Sequence, residues 1–330
     1  MKTVMVTGSN VGLGKECARQ LASEVEGVEK IILACRNPAK AEAAKEDLER
    51  ITSKQIFQVL VMDVCDLDSV RNAVASLEDS SIDGLVLNAG GMLGLDLTAD
   101  GVTISFAGNV LGHVVLTQEL FQAGKLKSGS TVVYSSSEAV RDIPELSAKR
   151  VQLDEHSVEE FKRVADGRFI ASRKSMAPAR GETYGVVKYM GTLWTSYMAR
   201  QHHNIRFVSI SPGASSGTKF FDDMPMAGKL VVKGVFKVFA MFGRAHGVEE
   251  GAKRYIDALM DDETFPTGGF YASKKGSSGP VADQAQAIPS FAEYKDTTIQ
   301  DKAAQAIHEI INQKDFVNTT KTNTEESTAA

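Results

Sequence analysis

Short apolar runs alternate with longer amphipathic segments along the N-terminal part of the chain. The apolar runs are almost uninterrupted, which is typical of strands buried on both faces of a parallel sheet. They predict strands at Val4–Val6, Lys30–Cys35, Ile56–Met62, Gly84–Leu87, Ser130–Tyr134 and Ile205–Ile210. The segments between them predict helices from about Gly12 to Leu21, up to Arg50, at Leu67–Leu77, at Asp100–Phe121 and at Gly181–Arg200. This alternation predicts an α/β fold, a doubly wound parallel sheet with helices on both faces.

The alternation breaks after the fifth predicted strand. Residues 138–181 form a charged insertion with a helix of its own, because Ser157 and Glu160 have the spacing of a capping box and Gly167 can end the helix. Beyond the sixth strand the pattern predicts an apolar helix over 224–243 within a lid over 218–245, a helix at Val248–Met260, a short strand at Phe270–Tyr271 and a terminal helix at Ile299–Ile311. The tail 314–330 is polar and without periodicity, so we expect it to be disordered. We therefore expect a single domain over residues 1–313.

A glycine-rich turn joins the first predicted strand to the first helix. The residues that follow Thr7 are Gly8, Ser9, Asn10, Val11, Gly12, Leu13 and Gly14. Glycine is needed where the chain takes a positive φ or where a ligand approaches the backbone closely. A strand, a tight turn and a helix in this order direct backbone N–H groups and the positive end of the helix at one point, which suits a phosphate group. The alternative is a glycine-rich turn without a ligand, which the flanking strand and helix disfavour.

The carboxyl ends of the predicted strands carry Gly8, Arg36, Asp63, Asn88 and Ser137. Ligands bind beyond these ends in an open parallel sheet, so we expect these residues to surround one site. The second strand ends at Arg36 without the acid that would bind the 2′-hydroxyl of NAD. Arginine binds phosphate through paired hydrogen bonds, so we expect NADP(H) as the cofactor. The alternative is an arginine that only faces solvent.

Tyr184 and Lys188 are four residues apart in a predicted helix, so their side chains share one helix face. A tyrosine phenol has a pKa near ~10 in water. A neighbouring ammonium group lowers that pKa, which gives a proton donor and acceptor usable near neutrality. The same spacing is common on ordinary helix surfaces, but this helix follows a strand that ends in three serines, which favours catalysis. Strand alternation places Ser135 on the same face as Ser137 and turns Ser136 away.

Composition and charge argue against several classes of function. The 330 residues carry 37 basic and 42 acidic side chains, a net charge of −5, which disfavours nucleic acid as a partner. Cys17, Cys35 and Cys65 lie far apart without a Cys-x-x-Cys pair, as expected for reduced thiols in the cytoplasm. The histidines show no metal-binding spacing, so we expect no metal. No apolar run is long enough to span a bilayer, and the chain begins directly on a predicted strand without a signal peptide.

These motifs, in their order along the chain, resemble those of the short-chain dehydrogenase/reductase family. The resemblance rests on Thr7–Gly14, Asp63, Asn88–Gly90, Asn109, Ser135–Ser137, Tyr184, Lys188 and Pro212–Gly213. Within the family the chain most resembles the branch of retinol dehydrogenases and light-dependent protochlorophyllide oxidoreductases, through Ala34–Asn37, Leu97–Gly101, Asn109–His113 and Val248–Ala252. The resemblance implies a Rossmann-type fold and an NADP(H)-dependent reductase or dehydrogenase that acts on the carbonyl/alcohol group of a small, fairly apolar molecule.

The resemblance also implies a catalytic role for four residues. Tyr184 exchanges the proton with the substrate, and Lys188 holds the nicotinamide ribose and tunes Tyr184. Ser137 orients the substrate carbonyl, and Asn109 supports a water relay. The alternative for Asn109 is an asparagine that satisfies backbone groups where its helix bends.

The cofactor-binding residues implied by the resemblance are Gly8, Ser9, Asn10, Gly12, Leu13, Gly14, Arg36, Asp63, Val64, Asn88, Ala89, Gly90, Tyr184, Lys188, Pro212, Gly213 and Thr218. Asp63 receives the adenine amino group, or instead caps the next helix. Asn88–Gly90 lines the adenine ribose, or forms a plain turn. Pro212–Gly213 leads into a loop against the nicotinamide, where either Ser216 or Thr218 meets the pyrophosphate.

The sequence leaves the substrate side open. Lysines repeat every four residues along 224–243, so this helix is a lid with a solvated outer face, or it contacts an anionic membrane surface. Arg173, Lys174 and Arg180 in the insertion hold an anionic substrate, or they are solvated. Homo-oligomers are frequent in the family, and the insertion is placed where it could block such an interface.

Two other functions stay open at this point. One is reduction of a carbon–carbon double bond, as in the protochlorophyllide branch. Residues 138–225 lack the cysteine that this branch is expected to use in its substrate region. The other is a non-catalytic NADP-binding sensor, which has no need of Tyr184 and Lys188 as a proton-handling pair.

Overall fold

A sheet of eight strands runs through the part of the chain that the computed structural model describes, residues 1–78, 81–146, 148–173, 179–215 and 246–328. The strands are β1 Thr3–Thr7, β2 Lys30–Cys35, β3 Phe57–Val61, β4 Ile82–Leu87, β5 Leu126–Ser135, β6 Arg206–Ile210, β7 Phe270–Ser273 and β8 Val281–Asp283. They lie in the order β3-β2-β1-β4-β5-β6-β7-β8, all parallel except β8, which pairs antiparallel with β7. In register, Val4 lies opposite Ile31 on one side and Gly84 on the other.

Helices connect the strands and cover both faces of the sheet. They are α1 Gly12–Glu24, α2 Pro38–Thr52, α3 Leu67–Ala75, α4 Ile104–Phe106, α5 Gly112–Gln122, α6 Val158–Ala165, α7 Arg168–Ala171, α8 Ala179–Gln201, α9 Val248–Met260, α10 Gln284–Ala287 and α11 Thr297–Thr328. A π-helical turn, Ala107–Leu111, joins α4 to α5, and 3-10 turns lie at Glu138–Val140, Pro144–Leu146 and Pro289–Lys295. The helix α9 has the bounds that the sequence predicts.

Two apolar clusters, one on each face, hold the helices to the sheet. One face packs α1, α2 and α9 through buried side chains that include Leu21, Leu48 and Tyr255. The other face packs α3, α5, α8 and α11, with Trp194 and Ile307 among its buried side chains. Burial on both faces explains why the parallel strands read as nearly continuous apolar runs. The predicted doubly wound α/β fold of Rossmann type is confirmed.

Side-chain caps mark several helix starts, and one of them differs from the prediction. Asp66 caps α3 by accepting the N–H groups of the second and third residues after it. Ser157 caps α6, as predicted, by accepting the N–H of Glu160 at 3.1 Å. The Glu160 carboxylate does not complete the capping box. It accepts instead the N–H groups of residues 154–156, which hold the loop before α6.

The long helix expected at Asp100–Phe121 is wrong at its start and in its interior. Thr103 caps the first turn with its hydroxyl, so α4 begins at Ile104. The turn Ala107–Leu111 is π-helical and contains Asn109. A π turn inserts one residue into the helical repeat and is frequent at functional sites. The apolar pattern does not reveal it, because this stretch is buried on all sides and carries little helical periodicity.

The C-terminal part of the chain is more helical than its composition suggests. The helix α11 continues to Thr328, past Lys314, where the polar sequence predicts a disordered tail. No glycine or proline interrupts the segment, so nothing in the backbone ends the helix earlier. The lid over 218–245, its helix over 224–243 and Thr218 lie outside the described residues. The division into one domain, an insertion and a tail stays a prediction.

The described residues offer neither a membrane-spanning helix nor a cluster of metal ligands. Among these residues no helix is both long enough and apolar enough to cross a lipid bilayer. In the same part of the chain, no group of three or more His, Cys, Asp or Glu side chains is arranged to hold a metal ion.

Helix α8 passes close to the sheet where Gly191 faces Tyr134 of β5. A Cβ atom on Gly191 would lie 2.1 Å from the Tyr134 hydroxyl oxygen and 2.3 Å from the carbon that bears it. The Tyr134 ring cannot retreat easily, because it is fully buried and its hydroxyl donates to the carbonyl of Asn109 at 3.0 Å. This glycine therefore sets the distance between the helix of Tyr184 and Lys188 and the strand of the serines.

We expect Gly191→Ala to destabilise the protein by about 1–3 kcal/mol, the usual cost of overpacking a core. The measurement is the free energy of unfolding in urea. The matched control is Gly181→Ala in the same helix, where an added Cβ meets nothing within 4 Å. The control should be neutral or slightly stabilising, since alanine favours a helix over glycine. Equal stability of the two variants would contradict the close contact with Tyr134.

Candidate active site

A cleft of about 690 Å³ opens at the carboxyl ends of the strands, where the strand order reverses between β1 and β4. Open α/β sheets bind ligands at such a switch point. Of the residues expected to bind cofactor or substrate, those lining the cleft are Gly8, Asn10, Gly12, Leu13, Arg36, Asp63, Val64, Asn88, Ala89, Gly90, Ser137, Tyr184, Lys188, Pro212 and Gly213. Ser9, Gly14 and Asn109 are absent from its lining, and Thr218 lies outside the described residues.

The glycine-rich turn is held in shape by Asn88 from the neighbouring strand. The Asn88 side-chain amide donates to the carbonyls of Thr7 at 2.9 Å and Gly8 at 3.4 Å. A Cβ atom on Gly14 would lie 2.5 Å from the amide nitrogen of Asn88, which explains a glycine that does not line the cleft. Helix α1 begins after Val11 without a side-chain cap or an acid in its first turn. Its amino end therefore keeps N–H groups available for an anion.

Two cations line the end of the cleft beside β2. Arg36 is 75% exposed in its side chain, and its Nη1 lies 3.8 Å from Oδ2 of Asp63. Lys40, in the first turn of α2, lines the same end and was missed in the sequence reading. The sequence could have indicated Lys40 through its position four residues after Arg36. Asn37 caps the helix between them by accepting the N–H of Lys40, so the lysine lies in the first turn, close to the end of β2. The cap of α3 is Asp66, so Asp63 is free of that alternative role.

The three serines after Tyr134 have three different environments. Ser135 Oγ shares a 2.7 Å hydrogen bond with a tyrosine hydroxyl of α9, on the sheet face opposite to α8. Ser136 Oγ shares a 2.7 Å hydrogen bond with Thr192 of α8. Ser137 is hydrogen-bonded to Tyr184 and caps the following 3-10 turn. The expectation that Ser135 and Ser137 share a face is wrong, because β5 ends at Ser135 and strand alternation ends with it.

Tyr184 and Lys188 are both buried at the inner end of the cleft. Lys188 Nζ donates to the carbonyl of Ser135 at 2.7 Å and lies 5.8 Å from the centre of the Tyr184 ring and 5.0 Å from that of Tyr134. Burial lowers the pKa of Lys188 to about 7. Burial raises the pKa of Tyr184 to about 12, although the hydrogen bond from Ser137 acts in the opposite direction. The net shift of the phenol pKa is therefore upward, opposite to the expected lowering, because burial disfavours the charged phenolate.

Asn109 is fully engaged with backbone groups behind the cleft. Its side chain accepts the N–H of Gly91 at 2.9 Å and donates to the carbonyls of Gly91 at 2.9 Å and Ser105 at 2.8 Å. These contacts support the alternative that Asn109 satisfies backbone groups where its helix is distorted. Its backbone carbonyl accepts the Tyr134 hydroxyl. The role of Asn109 in a water relay stays a prediction.

His113 is a further polar residue behind the cleft that the sequence reading did not assign to the site. Its Nε2 lies 2.9 Å from the carbonyl of Ala89, which lines the cleft. Burial lowers the pKa of His113 to about 3, so the ring is neutral at physiological pH. A neutral ring can donate to Ala89 through Nε2 without placing a second charge beside Lys188.

Sequence comparison matches the N-terminal part of the chain. The family model described as short chain dehydrogenase matches residues 2–148. Human retinol dehydrogenase 13 is 38% identical over 139 residues, 41% of each chain. The WW domain-containing oxidoreductase of Drosophila melanogaster is 36% identical over 148 residues, 43% of this chain and 36% of that protein. The aligned region thus spans about two-fifths of the length of such relatives.

Structure comparison extends the match over most of the chain. Salutaridine reductase from Papaver somniferum superposes with a TM-score of 0.60 at 17% identity, over 83% of this chain and all of that chain (100%). L-sorbose reductase from Gluconobacter frateurii, solved with NADPH and L-sorbose, gives a TM-score of 0.59 at 18% identity, over 84% of this chain and 96% of that chain. At these identities the likeness concerns the fold. The sequence match supports a short-chain dehydrogenase/reductase similar to the retinol dehydrogenase branch, on the evidence of the N-terminal part of the chain.

Proposed function

We propose that the protein is an NADP(H)-dependent oxidoreductase that interconverts a carbonyl compound and its alcohol. The carrying observation is the hydrogen-bonded pair of Ser137 and Tyr184 beside Lys188, at the inner end of a cleft whose outer end carries Arg36 and Lys40. A proton donor and a pair of cations at opposite ends of one cleft suit a reaction on a carbonyl with a phosphorylated dinucleotide. The match to the short chain dehydrogenase family model supports the proposal, as do fold relatives solved with NADPH and with NADP.

The residues of the cleft fit NADP(H) at three points. The uncapped amino end of α1 suits the pyrophosphate. Arg36 and Lys40 suit a 2′-phosphate, since the second strand ends without the acid that would bind a free 2′-hydroxyl. Asp63 lines the cleft next to them and accepts hydrogen bonds, as the adenine amino group requires. The bound cofactor supplies or takes up the hydride.

Tyr184 is the proton donor for reduction. Its phenol is neutral at physiological pH, so it can donate to the carbonyl oxygen of a substrate and leave that oxygen as an alcohol. Ser137, hydrogen-bonded to Tyr184, can donate to the same oxygen and fix its direction. Lys188 protonates readily near neutrality, and its ammonium form stabilises the phenolate that Tyr184 becomes after the transfer. In the oxidative direction the same groups work in reverse.

The substrate is a fairly apolar molecule. Met92, Leu93, Ile104 and Ala139 also line the cleft and offer no charge to a ligand. Arg173, a candidate for binding an anionic substrate, packs over Phe169 at 5.3 Å and is not part of the cleft lining. The names of the similar retinol dehydrogenases support an apolar alcohol and its carbonyl form as the substrate class.

We expect Tyr184→Phe to lower turnover of NADPH with a panel of apolar aldehydes and ketones by roughly 10²–10⁴-fold, the contribution of a positioned general acid. The affinity for NADPH, followed by nicotinamide fluorescence, should stay close to that of the wild type. The matched control is Tyr189→Phe, the next tyrosine on α8, whose hydroxyl lies 3.3 Å from a carboxylate oxygen of Glu293. Full activity of Tyr184→Phe, or an equal loss in both variants, would rule out the assigned proton donor.

The buried Lys188 predicts a dependence of stability on pH. The pKa of Lys188 falls from 10.5 to about 7 on folding, so between these values the unfolded chain binds more protons than the folded one. Wild-type stability therefore rises with pH in this window, and below it the folded protein bears the full cost of a buried ammonium. The difference in the free energy of unfolding, Lys188→Met minus wild type, should be more positive near about pH 6 than near about pH 9. A difference that does not change with pH would mean that Lys188 keeps its charge throughout.

The double variant Arg36→Ala/Lys40→Ala tests the choice of cofactor. Each lost hydrogen bond from a cation to the 2′-phosphate costs about 1.5–3 kcal/mol, so we expect NADPH to bind at least about tenfold more weakly. NADH lacks this phosphate and should lose little. Fluorescence titration with both cofactors measures the change. The control is Lys45→Ala, a lysine of the same helix that pairs with Glu42 outside the cleft. If both cofactors are weakened equally, the cations do not read the 2′-phosphate.

A further inference from the structure

A buried ionic cluster begins at the residue after Ser137. Glu138 lines the cleft and its side chain is 9% exposed. Oε2 of Glu138 accepts from Arg141 Nε at 2.8 Å and also from Nη2 of the same arginine. Oε1 accepts the backbone N–H of Ser273 at 3.0 Å and its hydroxyl at 2.9 Å, with Arg254 Nη1 at 3.6 Å. One carboxylate thus joins two buried arginines from different parts of the chain.

The two arginines also donate hydrogen bonds to backbone carbonyls of neighbouring loops. Arg254, from α9, donates to the carbonyl of Ser211 at 3.0 Å and to that of Gly279 at 2.8 Å. Arg141 donates to the carbonyl of Gly276 at 2.7 Å. Ser211 begins the loop that continues into the cleft-lining Pro212 and Gly213, and the two glycines lie in the β7–β8 turn. The cluster therefore ties the end of β5, the loop after β6 and this turn into one unit.

Backbone hydrogen bonds also connect the loop after β6 to the β7–β8 turn. The N–H of Ala214 donates to the carbonyl of Ser277 in the β7–β8 turn at 2.7 Å. Ala214 also accepts the N–H of His246 at 3.0 Å, next to the parallel bridge between Ser215 and His246. The loop after β6 is thus held by the β7–β8 turn, to which the arginines also donate, and by His246.

Stability alone does not account for this arrangement. Two arginines and one glutamate leave a net positive charge in a buried place, and burying ions costs more free energy than packing apolar groups of similar size. Burial lowers the pKa of Arg254, and Glu138 acts in the opposite direction. The cost is incurred directly beside Ser137 and the Ser211–Gly213 loop. The planar arginine fork can hold several acceptors in fixed directions at once, which apolar packing cannot.

We propose that Glu138, Arg141 and Arg254 are positioning residues that fix Ser137 relative to the Ser211–Gly213 loop, and with it the substrate carbonyl relative to the nicotinamide. This inference rests on the proposed function, because it assigns the loop to the nicotinamide half of the cofactor. A reacting pair held in the right geometry gains several orders of magnitude in rate, so a small displacement of either side has a large effect.

The test is Arg254→Ala, compared with Arg206→Ala. Arg206 is a matched control because, like Arg254, it donates three hydrogen bonds to protein oxygens. Its acceptors are the carbonyls of Phe265, Ala258 and Leu259, none of which lines the cleft, whereas Ser211 does. We expect both variants to be less stable, and only Arg254→Ala to lower kcat, by roughly a hundredfold, with a smaller change in the KM of the substrate. Added guanidinium ion should restore part of kcat in Arg254→Ala and none in Arg206→Ala. Equal kcat in the two variants would overturn the proposal.

A binding measurement separates this inference from the proposed function. In Arg254→Ala, NADPH should bind more weakly than to the wild type, while 2′,5′-ADP, which lacks the nicotinamide half, should bind unchanged. A wild type that binds neither ligand would remove the proposed function itself. A wild type that binds both, with Arg254→Ala unchanged toward both, would overturn only the positioning role. If Arg254→Ala does not fold, Ser273→Ala removes one hydroxyl from the cluster and should show the same effects at smaller size.

Discussion

Parallel pairing of β1 with β2 on one side and β4 on the other is the constraint on which the functional end of this molecule depends. The strand order reverses at this point, because β2 lies on one side of β1 and β4 on the other. The connections that follow β1 and β4 therefore run to opposite sides and leave a crevice between them. The polar ends of β1 and β4 then have to satisfy each other. The Thr7 hydroxyl accepts the N–H groups of Asn88 and Ala89, and the Asn88 amide returns a hydrogen bond to Thr7. The turn that follows β1 takes its shape from this exchange.

The second constraint is the distance between α8 and β5. Gly191 allows Tyr134 to stand between them, and the Tyr134 ring then forms part of the surroundings of Lys188. An ammonium group placed over two aromatic rings and one carbonyl receives some compensation for lost water, although less than a carboxylate gives. Burial at this position lowers the pKa of Lys188 to about 7. The close packing of α8 against β5 is part of that burial.

The sequence predicts the elements whose signal is local and repeated. Apolar runs locate the parallel strands, and their order along the chain predicts which residues meet at the sheet edge, from Gly8 to Lys188. What the sequence does not predict depends on contacts between distant segments. The π turn at Asn109 is imposed by packing against Gly91 and Tyr134, and the pattern of a fully buried helix carries no trace of it. The sheet face toward which Ser135, Ser136 and Ser137 point depends on where β5 ends. The residue types in this stretch do not indicate that position.

Charged groups missed in the sequence follow the same rule. Lys40 looks like an ordinary helix lysine until the fold sets it beside Arg36 at the cleft. Glu138 and Arg254 are far apart in the chain, and only the positions of β5 and α9 bring them together. Sequence periodicity reports which residues are apolar, whereas pairing between distant charges depends on tertiary geometry. Residues that belong to a known motif can be assigned to the site without tertiary information, because the motif already implies their arrangement. Lys40, Glu138 and Arg254 belong to no such motif.

Four of the buried charged residues in the described part of the chain lie around one edge of the sheet. Lys188, Glu138, Arg141 and Arg254 all lie near the carboxyl ends of β5 and β6, while both faces of the sheet are packed with apolar side chains. Buried ions make the folded state less stable unless their partners are well placed. The apolar packing of the two clusters must therefore offset the destabilising effect of these charges. A ligand that binds the cleft of the folded protein, and not the unfolded chain, stabilises the fold next to these buried charges.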